Sequence, residues 1–484
     1  MLNFALFGNF SLFCVECFYS RSCVRAWYNW GIMNMLLATM NVQLWMAIPF
    51  ALLLILIAVM PLTPHASKEF WEKYYPHISI LLGVIVAVFY CFAIEDGSHA
   101  VWHSFKEYVS FIALVGSLFV ISGGIVINLG GETTPRTNVI FLLVGAVLAN
   151  FIGTTGASMV MIRPWMRMNK YRLSAYHVVF FIFIVSNIGG ALTPIGDPPL
   201  YIGFLRGVPF FWILEHALMP WILVTAIVLG VFYLIDLYNF RKAGKRAEEV
   251  VLKEEENRGE MIFSLRGMKN IVWLMVVIAA VFIPSKVSPE TREFMETYFI
   301  RELIMFVAAV ASYFTTHPLT HKENSFNFAP IKEVGFLFIG IFMTMVPALA
   351  YLTAHAQTIG AILTEPWQYF FATGTLSGFL DNTPTYANFF DLIKNLQPGA
   401  DDAAKVAYML DPQHHLASGM LIAISLGSVF FGAMTYIGNG PNFMVKSIAD
   451  SEGVKMPSFF GFIVRYSLVI LLPIFVICAI AFLR

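Results

Sequence analysis

The chain has 484 residues, of which 58% are hydrophobic and only 12% are charged, with 30 basic and 30 acidic side chains. Soluble domains carry about 25% charged residues, so this composition excludes an ordinary soluble protein. The balanced charge leaves no basic face for nucleic acid. Long apolar runs recur along the chain, and together these features predict an all-α polytopic membrane protein embedded in a lipid bilayer.

The first 32 residues are typical of neither a signal peptide nor a membrane span. We treat residues 1–32 as an N-terminal extension of undefined role. One interpretation is that translation starts at Met33, Met35 or Met40, just before the first convincing helix. An amphipathic N-terminal arm is the alternative.

Apolar segments that predict helices follow in chain order. They cover residues 43–62, 77–94, 109–129, 138–150, 175–192, 198–206, 211–235, 270–284, 299–315, 334–350, 355–364, 415–431 and 459–483. Several reach the length of a full span, about 17–25 residues, and the shorter ones cluster around polar interruptions. The longest charged run, 236–269, predicts a solvated cytoplasmic linker between a first transmembrane repeat, 33–235, and a second, 270–484.

Basic residues set the expected orientation in the membrane. Arg163, Arg167, Lys170 and Arg172 lie in one short segment with no balancing acid, and the 236–269 linker carries eight Lys and Arg residues. Because cytoplasmic loops are enriched in Lys and Arg, we expect both segments on the cytoplasmic side of a multi-pass protein of the cytoplasmic (inner) membrane.

The two halves share two motifs in the same order. The first half contains "NFIGTTGASMVM" (150–161) and "TPIGDPPL" (193–200), and the second contains "GFLDNTPTYANF" (378–389) and "TYIGNGPN" (435–442). In this register Thr154 matches Asn382, and Asp197 matches Asn439. Matching Gly/Pro interruptions in corresponding apolar segments are the best sequence pointer to the binding site of a secondary transporter.

The stretch "GGALTPIGDPPLYIGF" (189–204) places three prolines and Asp197 inside an apolar segment. Proline removes a backbone donor and glycine permits unusual dihedral angles, so a helix should break here. At membrane depth a broken backbone is tolerated only where protein or a water-filled cavity satisfies it. The stretch therefore predicts a discontinuous helix at an ion site, with a simple proline kink as the alternative.

The motifs "SNIGGALTPIGDPP" and "FLDNTPTYANFF" resemble the ion transporter superfamily, and within it the NhaD sodium/proton antiporters, the arsenite permeases and a citrate-transporter branch. The resemblance covers most of the chain from about residue 40. It implies two inverted repeats, each with a re-entrant hairpin and a discontinuous helix. Carried onto this sequence, the hairpin tips are 150–158 and 380–386, and the breaks are 193–199 and 435–442. It also implies a homodimer and an elevator-like displacement.

The candidate substrate- and ion-binding residues lie in these four segments. They are Asn150, Thr154, Thr155, Thr193, Gly196, Asp197, Asp381, Asn382, Thr383, Thr435, Gly438 and Asn439. Oxygen ligands suit hard cations, which makes Asp197 and Asp381 candidate Na⁺ ligands. If these carboxylates are desolvated and close together, one Na⁺ or one proton must compensate their charge.

Na⁺/H⁺ antiport is therefore the leading functional hypothesis. A Na⁺- or H⁺-coupled transporter of citrate or another organic anion is the alternative, with helix N-termini binding the anion; arsenite extrusion is a weaker one. The sequence has no phosphate-binding Gly loop with a Lys and no catalytic constellation. We therefore expect that transport is not driven by ATP and that the protein is not an enzyme. We expect no cofactor besides the coupling ions.

Other polar and aromatic side chains have structural interpretations. We expect Arg163 to be a cytoplasmic anchor, and His177, His216 and His355 to be packed or interfacial rather than proton relays. A belt at the membrane interface is the expected place of Trp27, Trp30, Trp45, Trp71, Trp102 and Trp165.

Overall fold

The computed structural model describes residues 42–60, 65–129, 134–258, 263–286, 289–324, 326–355, 358 and 362–484. The N-terminal extension 1–32 and the three candidate start sites lie outside these residues, as do Trp27 and Trp30. The described residues cover most of both predicted transmembrane halves.

Helices dominate the first half of the chain. Short 3₁₀ turns at Leu44–Ala47 and Ile188–Gly190 accompany them. The helices are α1 (Ile48–Val59), α2 (His65–Ala93), α3 (Gly97–Gly123), α4 (Pro135–Met168), α5 (Ala175–Ile184), α6 (Pro198–Leu205) and α7 (Trp212–Arg258).

The second half is also helical. Its last helix is π-helical over Ile463–Leu471. The helices are α8 (Lys269–Lys286), α9 (Pro289–Thr297), α10 (Ile300–Thr315), α11 (Pro318–Glu323), α12 (Ala329–Ala354), α13 (Pro366–Ser377), α14 (Asn382–Asn395), α15 (Asp402–Leu410), α16 (His415–Gly432), α17 (Gly440–Ser451) and α18 (Phe459–Phe482).

Seven of the described helices are long and apolar enough to cross a membrane. They are Lys73–Ala93, Gly97–Gly123, Pro135–Met168, Trp212–Lys242, Ala329–Tyr351, His415–Gly432 and Phe459–Phe482. The predicted class, an all-α polytopic membrane protein, is confirmed. The inverted relation of the two halves stays a prediction.

One short ribbon departs from the helical pattern. Strand β1 (Val126–Leu129) pairs antiparallel with β2 (Phe263–Arg266). The helix predicted over 109–129 therefore ends at Gly123, since the last four residues of that segment form β1. The ribbon fastens the end of the predicted linker to the first half.

Helix α4, which is one of these seven by length and composition, is a hairpin rather than one straight span. Its backbone leaves the helical region at Gly153, where φ is +79° and ψ is 154°. Residues at similar distances along the chain on either side of this point then meet, because the chain reverses there. Asn138 exchanges side-chain hydrogen bonds with Asn169 at 2.9 and 3.2 Å, and the Phe141 and Trp165 rings stack. The first predicted hairpin is therefore present, with its tip at Gly153.

The second hairpin consists of α13 and α14, which contact each other and are joined by residues 378–381. Neither arm was among the predicted apolar segments, because "PWQYFFATGTLS" and "NTPTYANFFDLIKN" are too polar for that criterion. The predicted breaks are also present: α5 and α6 are separated by residues 185–197, and α16 and α17 by residues 433–439.

The segment predicted as a linker begins differently from expectation. Helix α7 continues through residue 236 to Arg258, and Asp236 is fully buried rather than solvated. Its carboxylate accepts hydrogen bonds from Arg172, from the Tyr176 hydroxyl at 2.8 Å and from Asn138 at 2.9 Å. This charge anchors both ends of the first hairpin to α7, while the boundaries of the two halves stay a prediction.

The tryptophans divide between surface and core. Trp45 and Trp102 are exposed, as an interfacial belt requires, whereas Trp71 and Trp165 are buried. The belt interpretation was therefore wrong for these two. Trp165 packs between the hairpin arms and donates to the His177 carbonyl at 3.1 Å, which satisfies its indole inside the protein.

Gly153→Ala tests the hairpin tip. A side chain at φ +79° is strained, and its Cβ would lie 3.3 Å from the carbonyl oxygen of Ile195. We expect a loss of about 1–3 kcal/mol, measured as a lower midpoint of thermal unfolding of the purified protein in detergent. Gly230→Ala in α7 is the matched control, since a Cβ there meets no atom within 4 Å; an equal effect of both changes would contradict the assigned tip.

Candidate functional site

Both helix breaks end in the same backbone geometry. Asp197 (φ −143°, ψ 142°) is the N-cap residue of α6, and Asn439 (φ −146°, ψ 142°) is the N-cap residue of α17. A proline occupies the first turn of each following helix, where its missing N–H costs nothing. The prolines that end one helix are thus also suited to the first turn of the next helix.

The internal repeat is a repeat of contacts. The Thr193 hydroxyl donates to the backbone carbonyl of Asn150 at 2.7 Å, and the Thr435 hydroxyl donates to that of Gly378 at 2.5 Å. These pairs correspond in the sequence register, since residue 150 aligns with 378 and residue 193 with 435. Each hydroxyl fastens a broken helix to the hairpin of its own half.

Glycines let the backbone double back closely within each break. A Cβ on Gly196 would lie 2.0 Å from the carbonyl oxygen of Gly190, and one on Gly438 would lie 2.7 Å from that of Gly432. The amides of Gly196 and Gly438 donate to the side chains of the two threonines of the repeat at 3.1 and 3.0 Å. Any larger residue at position 196 or 438 would push the two backbone segments apart.

The carboxylate of Asp197 is the centre of the site. It is fully buried and accepts from the Thr154 hydroxyl at 2.7 Å, from Asn439 Nδ2 at 3.0 Å and from Asn382 Nδ2 at 2.8 Å. Thr154 comes from the first hairpin, Asn382 from the second hairpin and Asn439 from the second break. Both hairpins and the second helix break therefore each contribute one hydrogen-bond donor to the same side chain.

The three donors are themselves held in place. The Thr154 amide donates to the Gly196 carbonyl at 2.8 Å. The Ser377 hydroxyl donates to Asn382 Oδ1 at 2.6 Å, and Asn439 Nδ2 also donates to the Ser186 carbonyl at 3.1 Å. Because each amide has its oxygen or its second N–H engaged elsewhere, each presents a donor and not an acceptor to Asp197.

The second predicted carboxylate lies nearby but has another local role. Asp381 is the N-cap residue of α14, and its carboxylate accepts from the Thr383 amide at 3.3 Å. Asp381 directly precedes Asn382, which donates to Asp197, so the two carboxylates lie in the same region of the site. Among the described contacts, neither Thr155 nor Thr383 reaches Asp197. The structure therefore brings together Thr154, Asp197, Asn382 and Asn439 directly, with Asp381 at the edge.

Asn150 joins the first hairpin to the first break. Its Nδ2 donates to the Gly189 carbonyl at 2.6 Å, and its Oδ1 accepts from the Leu192 amide at 3.0 Å. Both partners are freed backbone groups of the unwound segment, so this buried amide replaces helical hydrogen bonds. Asn150 holds the frame of the site and does not contact Asp197 directly in the described residues.

Two buried amides of the site were absent from the predicted set. Asn187 and Asn442 are fully buried and hydrogen-bonded to each other across the two halves at 2.7 Å. Both lie in the quoted motifs, "SNIGG" and "TYIGNGPN". An amide in an otherwise apolar stretch was the available signal, because a buried polar side chain requires partners.

Arg163 and His177, two ionisable residues of the first half, lie elsewhere. Arg163 is buried rather than interfacial, with its guanidinium over the Phe119 ring and 3.4 Å from the Ser122 hydroxyl. His177 packs beside Asp236 at 3.3 Å, away from the Asp197 contacts. Among the described residues, no Lys or Arg contacts Asp197, so its charge is stabilised by neutral donors alone.

Paired hairpins, two discontinuous helices and a buried carboxylate where they meet define a multi-pass membrane protein with the architecture of a secondary transporter. A family model described as "Putative citrate transport" matches residues 39–483. The chain therefore belongs to this transporter family. No curated protein matches the sequence.

Asp197→Asn tests the donor arrangement around the carboxylate. Thr154 and Asn439 both donate to Oδ1, whereas Asn382 donates to Oδ2, so an amide nitrogen in place of Oδ2 meets another N–H₂ group. We expect a loss of about 1.5–3 kcal/mol, the value of a hydrogen bond to a charged group, seen as a lower unfolding midpoint in detergent.

The double variant Asp197→Asn with Asn382→Asp is the matched rescue. It reverses donor and acceptor in that single hydrogen bond while keeping the total charge and the acceptor for Ser377. We expect most of the lost stability to return. A double variant less stable than either single change would show that the assigned hydrogen-bond direction is wrong.

Gly432→Ala tests the close packing of the site. A Cβ at this position would lie 2.7 Å from the Asn382 amide and 2.8 Å from Asn187 Oδ1, so it displaces a donor of Asp197 at a cost of about 1–3 kcal/mol. Transport in proteoliposomes should fall sharply. Gly116→Ala in α3 is the control, because the nearest atom to a Cβ there lies 3.6 Å away and activity should persist.

Proposed function

We propose that this transporter moves citrate or a related carboxylate together with a coupling cation, Na⁺ or H⁺. The observation that carries the proposal is the convergence of Thr154, Asn382 and Asn439 on the buried carboxylate of Asp197 between two helix breaks. Membership of the citrate transport family favours a carboxylate substrate and places this function ahead of Na⁺/H⁺ antiport. A transporter of this kind acts without enzymatic chemistry or a resident cofactor.

Helix N-termini support an anionic substrate. Helices α6, α14 and α17 begin at Pro198, Asn382 and Gly440, each next to a residue of the site. The N-terminus of a helix carries a partial positive charge, which favours a carboxylate. In α6 only this dipole acts, because Pro198 and Pro199 have no N–H and the Leu200 amide donates to the Asp197 carbonyl. Three such termini at one place supply a positive field without a basic side chain.

The two carboxylates support the requirement for a cation. Asp197 and Asp381 add negative charge to a site that must also accept an anion, and neutral donors alone surround Asp197. A desolvated anion beside two uncompensated carboxylates is strongly disfavoured. Binding of Na⁺ or a proton removes this repulsion, so cation and anion should bind together and cross the membrane together.

Na⁺/H⁺ antiport remains the second candidate, and one observation favours it. Asp381 is adjacent in sequence to Asn382, a donor of Asp197, so the site holds two carboxylates, and a Na⁺ ion that neutralises them would displace a bound proton. That competition alone gives exchange without any organic substrate. The assay below separates the two functions.

The proposed oligomeric state and membrane of this protein are based on the family resemblance. Large apolar side chains such as Leu234 and Phe314 are exposed on the outer faces of helices, where lipid or a second copy can cover them. We propose a homodimer in the cytoplasmic (inner) membrane, in which each protomer moves its hairpins and broken helices as one body.

Proteoliposomes that contain an internal pH dye test the proposal. Uptake of labelled citrate should increase with an inward Na⁺ or proton gradient, and Asp197→Asn should reduce it by about tenfold or more because a charged hydrogen-bonded group is lost. Asp381→Asn should uncouple uptake from the cation while expression stays near normal. A Na⁺-evoked pH change without citrate, together with no citrate uptake, would establish antiport instead.

A further inference from the structure

The orientation of the Asn187 amide is fixed by a chain of hydrogen bonds. Asn442 Nδ2 donates to the carbonyls of Gly432 at 2.7 Å and Thr435 at 2.9 Å, so Asn442 turns its Oδ1 towards Asn187. Asn187 Nδ2 donates to that oxygen at 2.7 Å and to the Ile182 carbonyl at 2.8 Å. Rotating either amide by 180° would place oxygen against carbonyl oxygens, so the assignment is unambiguous.

The oxygen of Asn187 is left without a donor. The side chain is fully buried, and its Oδ1 has no hydrogen-bond partner among the described residues. Buried polar atoms are nearly always paired, and an unpaired acceptor is costly. Such an atom in a transporter site calls for a ligand that brings positive charge or a proton donor.

This oxygen lies beside the Asp197 carboxylate cluster. Asn187 Oδ1 and the Asn382 amide both lie within 2.8 Å of the point where a Cβ on Gly432 would stand, and Asn382 donates directly to Asp197. The preceding residue, Ser186, accepts from Asn439, which also donates to Asp197. Asn187 is therefore part of the same small volume.

We infer that Asn187 Oδ1 is a direct ligand of the coupling cation and that this cation is Na⁺. The inference rests on the proposed function and narrows its choice of ion. A neutral amide oxygen is a good ligand for a hard metal cation, but it does not take up a proton at physiological pH. The side chains that surround Asp197 are neutral amides and a hydroxyl, and an alkali cation tolerates neutral oxygen ligands.

Thermal unfolding of the purified full-length protein in detergent measures Na⁺ binding without transport. Wild type should be stabilised by NaCl relative to choline chloride at equal ionic strength. Asn187→Ala should raise the Na⁺ concentration that gives half of this stabilisation by about tenfold or more, since a ligand of a charged ion is lost. Asn187→Ser is a milder second variant if the alanine protein is too unstable to purify.

Asn324→Ala is the matched structural control. Asn324 is buried and also donates to two backbone carbonyls, of Gly123 and Ile125, but it follows α11 and holds the turn between α3 and β1 rather than the Asp197 cluster. This variant should lower the unfolding midpoint in choline while leaving the Na⁺ dependence within about twofold of wild type.

The outcomes separate this inference from the proposed function. An unchanged Na⁺ dependence in the Asn187 variants, or an equal change in Asn324→Ala, overturns the ligand assignment. Absence of Na⁺ stabilisation in wild type overturns it as well, and citrate uptake driven by protons alone would then leave the proposed transport intact. Na⁺ stabilisation that depends on Asn187 in a protein that transports no citrate would support the ligand and contradict the proposed substrate.

Discussion

The burial of the Asp197 carboxylate is the constraint on which the rest of the site depends. A charge with no exposed surface requires several hydrogen bonds, and three donors from distant parts of the chain provide them. Those donors can reach it only because the helices break, the hairpins reverse beside the breaks and Gly196 and Gly432 let the backbone approach closely. Removing the charge would therefore loosen all four segments together.

The two repeats share the same backbone contacts, and they differ in the side chain at the helix break. Thr193 and Thr435 make the same hydrogen bond to their hairpins, and Asp197 and Asn439 share one backbone conformation. Yet one break carries an acid and the other an amide, which donates to that acid. A symmetric pair of acids would repel; an acid and an amide bind each other and leave one charge for a cation.

Sequence patterns predicted the elements of the site better than its contacts. Proline and glycine act on their own few residues, so both breaks were predictable, whereas the hairpin tips were implied by the family resemblance. The arms of the second hairpin were not, because packing against α16 rather than hydropathy keeps them helical. Asp236 and Trp165 were assigned to water and to the interface, yet each is buried with partners about 60 and 12 residues away in sequence.

Composition and local motifs by themselves determined that this is a helical membrane protein, where its helices break and which polar residues border the breaks. Those properties depend on hydrophobicity and backbone rules that act over a few residues. Only the tertiary structure decided that Asn382 and Asn439 donate to Asp197, that Asp381 caps a helix instead, and that Asn187 presents an unpaired oxygen. These facts depend on pairs 185 and 242 residues apart, whose distance and orientation are set by the packing of whole helices.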